Sequence, residues 1–179
     1  YQGYLYAVAD EMDSSTLQII DIKNLPNSFN VVYDSNDLIT RSHNIFIDEA
    51  NATMYSCGGK IDGSPNNLSL ISLDDPENPV LISQYNNHGY VHDIFVKNNI
   101  GYLNCAENGF HIVDFSQPTL PVSLGSLTDY PYKGYNHSGW LSEDNIYVFA
   151  DENHGYKLKV CDVSNVNDIQ VLSLSLIHI

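Results

Sequence analysis

Residues 110–115, FHIVDF, follow the order apolar, polar, apolar, apolar, polar, apolar. The same order occurs three more times along the chain, at residues 17–22, 68–73 and 158–163. The first residues of successive copies lie 51, 42 and 48 positions apart. Self-similarity at this period predicts a repeat architecture, because each unit must bury its apolar face against a neighbouring unit.

Two further landmarks recur in the same register as this six-residue pattern. A tyrosine precedes each copy and is followed three positions later by a small residue; these tyrosines are Tyr6, Tyr55, Tyr102 and Tyr147. A histidine opens an apolar segment 12 or 10 residues before the later tyrosines, at His43, His92 and His137. The shared register identifies the tyrosines as structural repeat positions.

Each repeat therefore contains four short apolar segments, which are the histidine segment, the tyrosine segment, the six-residue pattern and a closing segment. Turn-forming pairs such as Asn98-Asn99 and Asp62-Gly63 separate neighbouring segments. No stretch shows a sustained helical period, and β-branched and aromatic residues crowd the candidate strands. This pattern predicts an all-β fold, a β-propeller of about four four-stranded blades that is present as a partial, open propeller.

The predicted blades cover most of the chain. We expect an incomplete first blade at residues 1–35 and further blades at residues 36–86, 87–128 and 129–173. The sequence begins inside a strand of the first repeat, so we expect more of this protein upstream. The last residues, 174–179 (LSLIHI), resemble the translation of a sequencing adapter, and we expect this tail to be non-native.

The composition limits the classes of partner. The chain has 22 acidic and seven basic side chains, for a net charge of −15, which disfavours binding to nucleic acid and to anionic membranes. No segment approaches the length of a transmembrane helix. The charge favours cationic partners, or it serves only to keep acidic loops soluble. The three cysteines, Cys57, Cys105 and Cys161, fit neither a disulfide framework nor a metal clip, and we expect them to be buried.

Residues in several repeats resemble a known family. The segments are 42–49 (SHNIFIDE), 89–93 (GYVHD), 137–144 (HSGWLSED) and the 110–115 pattern with its following prolines. The chain is similar over about residues 4–173 to the LVIVD-repeat β-propellers, in particular the choice-of-anchor B family of bacterial secreted or surface proteins. The resemblance implies an extracellular or cell-surface protein, held by an anchor that this sequence does not contain, and it implies no general enzymatic activity.

The repeat register groups the candidate site residues. In a propeller the loops entering the first strand of each blade share a face with the loops that join the second and third strands. We therefore expect His43, His92 and His137 to surround the mouth of the central channel. Other candidate ligand-binding residues on that face are Asp93, Glu107, Asp151, Glu152 and His154.

Three interpretations of these histidines remain open. Imidazoles beside carboxylates can bind a divalent cation, and the metal candidates are His92, His137 and Asp151. The same groups can equally bind a cationic or sugar-like ligand. Alternatively, each histidine bonds a carboxylate or carbonyl of the neighbouring loop and holds the blade together. We do not expect one ion to contact all three histidines, because equivalent positions diverge around a channel.

A recurrent aspartate near the end of the six-residue pattern, at Asp21, Asp114 and Asp162, invites a catalytic interpretation. We expect a turn-capping role instead, because aspartate readily accepts hydrogen bonds from nearby backbone amides. No nucleophile elbow, phosphate-binding loop or helical metalloprotease motif is present in the sequence.

The sequence therefore predicts a non-catalytic binding or interaction module of an exported bacterial protein, with its contact surface at the histidine face and a protein or glycan as its partner. One alternative is a metal-dependent hydrolase or lyase that uses the same face. Another is a structural or adhesion spacer. An enzyme would gather at least three ligating groups around one point, whereas a scaffold would satisfy each histidine within its own blade.

Overall fold

The computed structural model describes residues 1–11 and 16–176, which are almost entirely β. These residues form 15 strands and one short 3-10 helix, Glu49–Asn51. The strands make four antiparallel sheets, and within each sheet the strands are hydrogen-bonded in chain order. The predicted all-β architecture of successive antiparallel units is confirmed. Contacts divide the chain into two compact units, Tyr1–Asn86 (unit 1) and Asn87–Ile179 (unit 2).

Unit 1 contains two of the sheets. The first has three strands, β1 (Tyr4–Val8), β2 (Leu17–Asp21) and β3 (Asn30–Ser35). The second has four strands, β4 (Asn44–Asp48), β5 (Thr53–Ile61), β6 (Ser64–Ser72) and β7 (Val80–Tyr85). A core of buried side chains, including Tyr6, Ile19 and Met54, packs within the unit.

Unit 2 contains two four-stranded sheets. The first is formed by β8 (Asp93–Lys97), β9 (Ile100–Asn104), β10 (Phe110–Asp114) and β11 (Val122–Leu127). The second is formed by β12 (Asn136–Leu141), β13 (Ile146–Asp151), β14 (Lys157–Asp162) and β15 (Gln170–Leu176). The core is aromatic: the Phe110 ring stacks on those of Tyr147 and Phe149, with centroids 4.6 and 5.8 Å away.

The local sequence explains the hairpins. Asn98 and Asn99 both have positive φ, 53° and 64°, and join β8 to β9 in a two-residue loop. Asp62 and Gly63 do the same between β5 and β6, with φ of 47° and 73°. Asparagine, aspartate and glycine tolerate this left-handed conformation, which matches the twist of the strands that it joins.

A repeated irregularity marks the four sheets as copies of one unit. The pairing of the third and fourth repeat strands shifts register at the same point of the six-residue pattern in every sheet. In unit 2, for example, the shift falls between Ile112 and Val113 and between Val160 and Cys161. Such bulges bend a strand and increase its twist.

The three cysteines, Cys57, Cys105 and Cys161, are buried and carry no disulfide. Burial raises the pKa of the Cys161 thiol to about 12.

The predicted non-native tail is partly within the last strand. Leu174 and Ser175 pair with β14 as part of β15, whereas residues 177–179 lie outside the described residues. In the described part of the chain no helix is long and apolar enough to cross a membrane.

Candidate functional site

Two of the repeat histidines meet in unit 2. His92 precedes β8, and His137 is the second residue of β12. Their ring centroids lie 4.2 Å apart with the planes inclined at 41°. Glu152, directly after β13, brings a carboxylate to the same point, so that one ligand atom from each of the three residues lies within 4.8 Å of the others. His92 is buried, His137 is half-buried and Glu152 is exposed.

A backbone contact sets the tautomer of His92. Its Nδ1 lies 3.0 Å from the carbonyl oxygen of His137. Because a carbonyl only accepts, Nδ1 carries the proton and donates, and the ring lone pair is on Nε2. The ring also makes edge contacts with the rings of Tyr135 and Tyr90, at centroid distances of 5.6 and 6.2 Å. These contacts hold the imidazole in one orientation.

His137 is positioned by a bridge between the two sheets of unit 2. Its neighbour Asn136 exchanges two backbone hydrogen bonds with Ala106 of the β9–β10 loop, each 3.1 Å long. The Nδ1 of His137 lies 3.1 Å from the Oγ of Ser138. This bridge places the start of β12 beside the loop that enters β10.

Glu152 is fixed through its backbone, and its carboxylate lies in an acidic environment. Its N–H donates to the carbonyl of Tyr135 over 2.9 Å. Burial, together with the charges of Glu152 and Glu107, raises the pKa of the Tyr135 hydroxyl. The two carboxylates therefore both act on Tyr135, which also contacts the His92 ring. This clustering of negative charge favours a cation at the site.

The Asp151 side chain lies outside this group. Its carboxylate is fully buried and forms a 2.6 Å ion pair with Lys159, whose side chain is also fully buried. It further accepts hydrogen bonds from the Tyr130 hydroxyl at 2.9 Å and from the Gly134 amide at 2.7 Å. Adjacent residues of an extended chain point to opposite sides, so Asp151 faces inward and Glu152 outward. The histidines thus meet Glu152 instead of Asp151.

His43, in unit 1, has a different environment. Its Nδ1 lies 2.8 Å from Oδ2 of Asp10, and the other Asp10 oxygen accepts a 3.0 Å hydrogen bond from Arg41. Burial acts to raise the pKa of Asp10, but the hydrogen bonds from His43 and Arg41 outweigh it and lower that pKa. This is the arrangement in which a loop carboxylate holds the repeat histidine.

The other candidate residues are dispersed. Asp93 is half-buried at the start of β8, and Glu107 and His154 are exposed. The aspartates of the six-residue pattern make local contacts: Asp21, Asp114 and Asp162 each accept a hydrogen bond from the amide two residues later, at 2.7 to 2.9 Å.

The repeat tyrosines lie in the cores. All four are buried, and they are Tyr6, Tyr55, Tyr102 and Tyr147. The Tyr6 hydroxyl donates to the carbonyl of Pro76, and the Tyr147 hydroxyl accepts a 2.8 Å hydrogen bond from Asn104.

Sequence reasoning missed one feature of the six-residue pattern. Its second position is polar in every copy, yet in three sheets this residue is buried, as Ser69, His111 and Lys159. The recurrence of a polar residue at this repeat position was visible in the sequence. It did not show whether the side chain faces the interior or the solvent. Lys159 and His111 consequently belong to polar networks inside the fold.

Comparisons with known proteins place the fold. No family model matches the sequence, and no curated protein matches it. A protein from Lactobacillus plantarum matches in structure with a TM-score of 0.74 at 11% identity, over 98% of this chain and 53% of that one. A periplasmic gluconolactonase of Pseudomonas aeruginosa matches with a TM-score of 0.67 at 9% identity, over 98% of this chain and 54% of that one.

TolB from Acinetobacter baumannii also matches, with a TM-score of 0.53 at 14% identity, over 96% of this chain and 41% of that one. The chain therefore spans about half the length of these solved structures. At such identities the likeness concerns the fold alone. The four successive antiparallel sheets have the fold of β-propeller blades, as the repeats predict.

Proposed function

We propose that this chain is a binding module that holds a divalent transition metal, Zn²⁺ above all, at His92, His137 and Glu152, and that this face is its contact surface. The observation that carries the proposal is the convergence of the three ligand atoms within 4.8 Å of one another. Two imidazoles and one carboxylate are a common donor set for zinc. The β-propeller fold is compatible with such a module, because its loops can present a binding surface.

The orientation of His92 supports the proposal. A histidine that ligates a metal usually donates its other ring N–H to a carbonyl or carboxylate. His92 has this arrangement, because its Nδ1–H donates to the His137 carbonyl. The same backbone segment therefore supplies one ligand and orients another.

The geometry requires only a small adjustment on binding. Ligands about 2.0 to 2.2 Å from a tetrahedral zinc ion lie about 3.4 Å from one another. The present 4.8 Å limit exceeds that separation, and the exposed Glu152 side chain has the freedom to close the difference. His92, which is buried, stays fixed and defines where the ion sits.

The test is zinc binding by the full chain, measured by competition with a chromophoric chelator and by thermal shift. We expect saturable binding that falls at least about 100-fold in His137→Ala and in Glu152→Gln, because each removes a direct ligand. His43→Ala, at the equivalent position of unit 1, and His154→Ala, an exposed histidine outside the group, are the matched controls. Wild-type affinity in both ligand variants would exclude this site.

A metal-dependent hydrolase is the second candidate, and the donor set favours it. Three protein ligands leave the fourth position of a tetrahedral zinc ion for water, and the bound ion lowers the pKa of that water to about 7. Because Glu152 is exposed, solvent reaches at least one side of the site. The likeness in fold to a periplasmic gluconolactonase suggests lactones as the first substrates to test.

The enzyme candidate is tested by hydrolysis of gluconolactone and simple esters with the zinc-loaded chain, followed by titration of released acid. Zinc-dependent turnover that disappears in His137→Ala supports the hydrolase. Tight zinc binding without turnover would contradict the hydrolase and support the non-catalytic binding module.

Location and family belong to the same proposal. The resemblance of the histidine segments and the six-residue pattern to choice-of-anchor B propellers supports an exported protein at the cell surface, with a protein or glycan partner. Detection of the full-length protein on intact cells by surface labelling tests this placement. Recovery only from the cell interior would contradict it.

A further inference from the structure

Unit 2 also contains a groove that is lined by polar residues. It is a groove of about 680 Å³, and its lining includes His88, Glu107, Asn108, His111, Thr128 and Lys133. We call it the His111 groove. Its volume lies within the range of small-molecule sites, about 300 to 1,000 Å³. All of its lining lies within unit 2, at His111 of β10 and on the loops before β8 and β10 and after β11.

The lining excludes an apolar ligand. Among the described residues, every side chain that lines the groove is polar or belongs to glycine. Apolar molecules bind where aliphatic or aromatic surface can be buried, and this groove offers only the imidazole rings of His88 and His111. Those rings stack with centroids 3.9 Å apart and planes inclined at 14°. A ligand must therefore bind through many hydrogen bonds.

His111 supplies the independent observation. It is 7% exposed, and its Nε2 lies 3.1 Å from the carbonyl of Asn108, so Nε2 carries the proton. Its Nδ1 is then an acceptor, and this buried atom has no hydrogen-bond partner among the described residues. Burial, with help from His88, lowers the pKa of His111 to about 4, so the ring stays neutral near pH 7.

The equivalent position is satisfied in the other sheets. Ser69 accepts a hydrogen bond from Asn66, and Lys159 pairs with Asp151. His111 occupies the same second position of the six-residue pattern, where a buried polar atom is normally paired. A donor bound beside His111, such as a ligand hydroxyl or a water molecule, would pair this Nδ1.

The other polar groups of the groove indicate which hydrogen-bonding groups a ligand must have. Glu107 is an exposed carboxylate and accepts, whereas Lys133 is an exposed ammonium group that is held by the Thr128 carbonyl at 2.6 Å and donates. A ligand therefore needs donors and acceptors close together. Sugar hydroxyls donate and accept from one atom, as serine and threonine hydroxyls do.

We propose that the His111 groove binds a carbohydrate, whose hydroxyls donate towards His111 and Glu107 and accept from Lys133. Because Nδ1 is closed to bulk solvent, the hydroxyl reaches it through a bridging water or after a shift of the stacked His88 ring. This inference goes beyond the proposed metal site and requires no metal.

The experiment titrates the full chain, in the presence of EDTA, with methyl glucoside, methyl galactoside, N-acetylglucosamine, lactose and cellobiose. Calorimetry gives the affinity, and long-range ¹H–¹⁵N correlation of the histidine rings shows whether the Nδ1 resonance of His111 moves. We expect saturable binding of at least one sugar, weakened about tenfold or more by Glu107→Gln and by Lys133→Met. Both positions are exposed, so the variants should fold normally.

Controls separate the groove from the metal site. Glu143→Gln, an exposed carboxylate paired with Lys97 outside the groove, and His137→Ala should bind sugar like the wild type. Loss of sugar binding in His137→Ala, or a requirement for zinc, would overturn the groove as the site. No saturable binding at about 10 mM of any sugar, or binding of glycine or alanine instead, would overturn the carbohydrate assignment.

Discussion

His43 in unit 1 and His137 in unit 2 occupy the same place in the repeat and have different partners. His43 bonds Asp10, the fourth residue after its repeat tyrosine, Tyr6. The fourth residue after Tyr102 is Ala106, which has no acceptor in its side chain. In unit 2 no carboxylate at this loop position competes for His137, although Ala106 is bridged to the neighbouring Asn136. The His137 ring instead lies beside His92 and Glu152.

A third version of the same loop position shows how much the contacts vary. Asp151 is the fourth residue after Tyr147, and it is fully buried against Lys159 rather than bonded to a histidine. The repeat thus conserves the backbone and permits each copy to use its loop side chains differently. We infer that the side chain at this loop position decides whether the repeat histidine is held within the fold or is available to a metal ion.

The largest effect that we expect comes from the buried ion pair. Lys159→Met leaves the buried Asp151 carboxylate without its counter-charge, and should lower the free energy of unfolding by about 3 to 5 kcal/mol. Its exposed counterpart in unit 1 is weaker: Arg41→Met, which removes one partner of Asp10, should cost less than about 1 kcal/mol. Urea unfolding followed by fluorescence measures both.

Lys157→Met, two residues earlier on β14, is the matched control, because Lys157 is half-buried and lies over the Tyr132 ring instead of in an ion pair. Its cost should stay below about 1 kcal/mol. Similar losses in Lys159→Met and Lys157→Met would show that the buried pair has no special role.

The second prediction concerns a substitution that makes one loop position of unit 2 resemble its equivalent in unit 1. Ala106→Asp introduces a carboxylate where Asp10 stands in the earlier repeat, and we expect it to bond His137 and to lower zinc affinity about tenfold or more. Ala106 has a positive φ of 49°, a conformation that aspartate and asparagine adopt more readily than most residues. Chelator competition measures the affinity.

Ala106→Asn is the control, because it has nearly the same shape without the charge. It should reduce zinc affinity less than Ala106→Asp does. If the aspartate variant binds zinc as tightly as the wild type, the absence of a loop carboxylate is not what makes His137 available.

The sequence allowed the fold to be predicted because its signals are local. The short segments rich in β-branched and aromatic residues, the Asn98-Asn99 pair and the repeated tyrosines each specify a strand or a turn by their own geometry. These features depend on the backbone, which the repeats share. The register also led us to expect the repeat histidines on one face, but it did not predict that His92 and His137 come into contact.

The identity of the carboxylate at the site could not be predicted in the same way. Asp151 and Glu152 are adjacent in sequence, and only packing decides which one faces inward. The buried Lys159, whose partner lies eight residues away on the facing strand, draws Asp151 into the interior. A polar residue at the second position of the pattern is expected to be exposed. The burial of Lys159 and His111 could therefore not be predicted from the sequence.

The smallest effect concerns the pH dependence of unit 1. Because the pKa of Asp10 is lower in the folded chain than its ordinary 3.8, its ionised form stabilises the fold above that value. The stabilisation is lost as the pH falls through the lowered folded pKa. The Asp10 side chain is 40% exposed, so the contribution should be below about 1 kcal/mol.

Urea unfolding of wild type and Asp10→Asn, at about pH 6 and about pH 3, tests this dependence. The wild type should be slightly more stable than the variant at the higher pH, and the difference should shrink at the lower pH. Arg41→Met should show a smaller pH-dependent change than the wild type, because it removes one of the two groups that lower the Asp10 pKa. If the stability difference instead grows on acidification, the fold favours the neutral form of the Asp10 carboxyl group. His43 would then not be held by an ionised loop carboxylate.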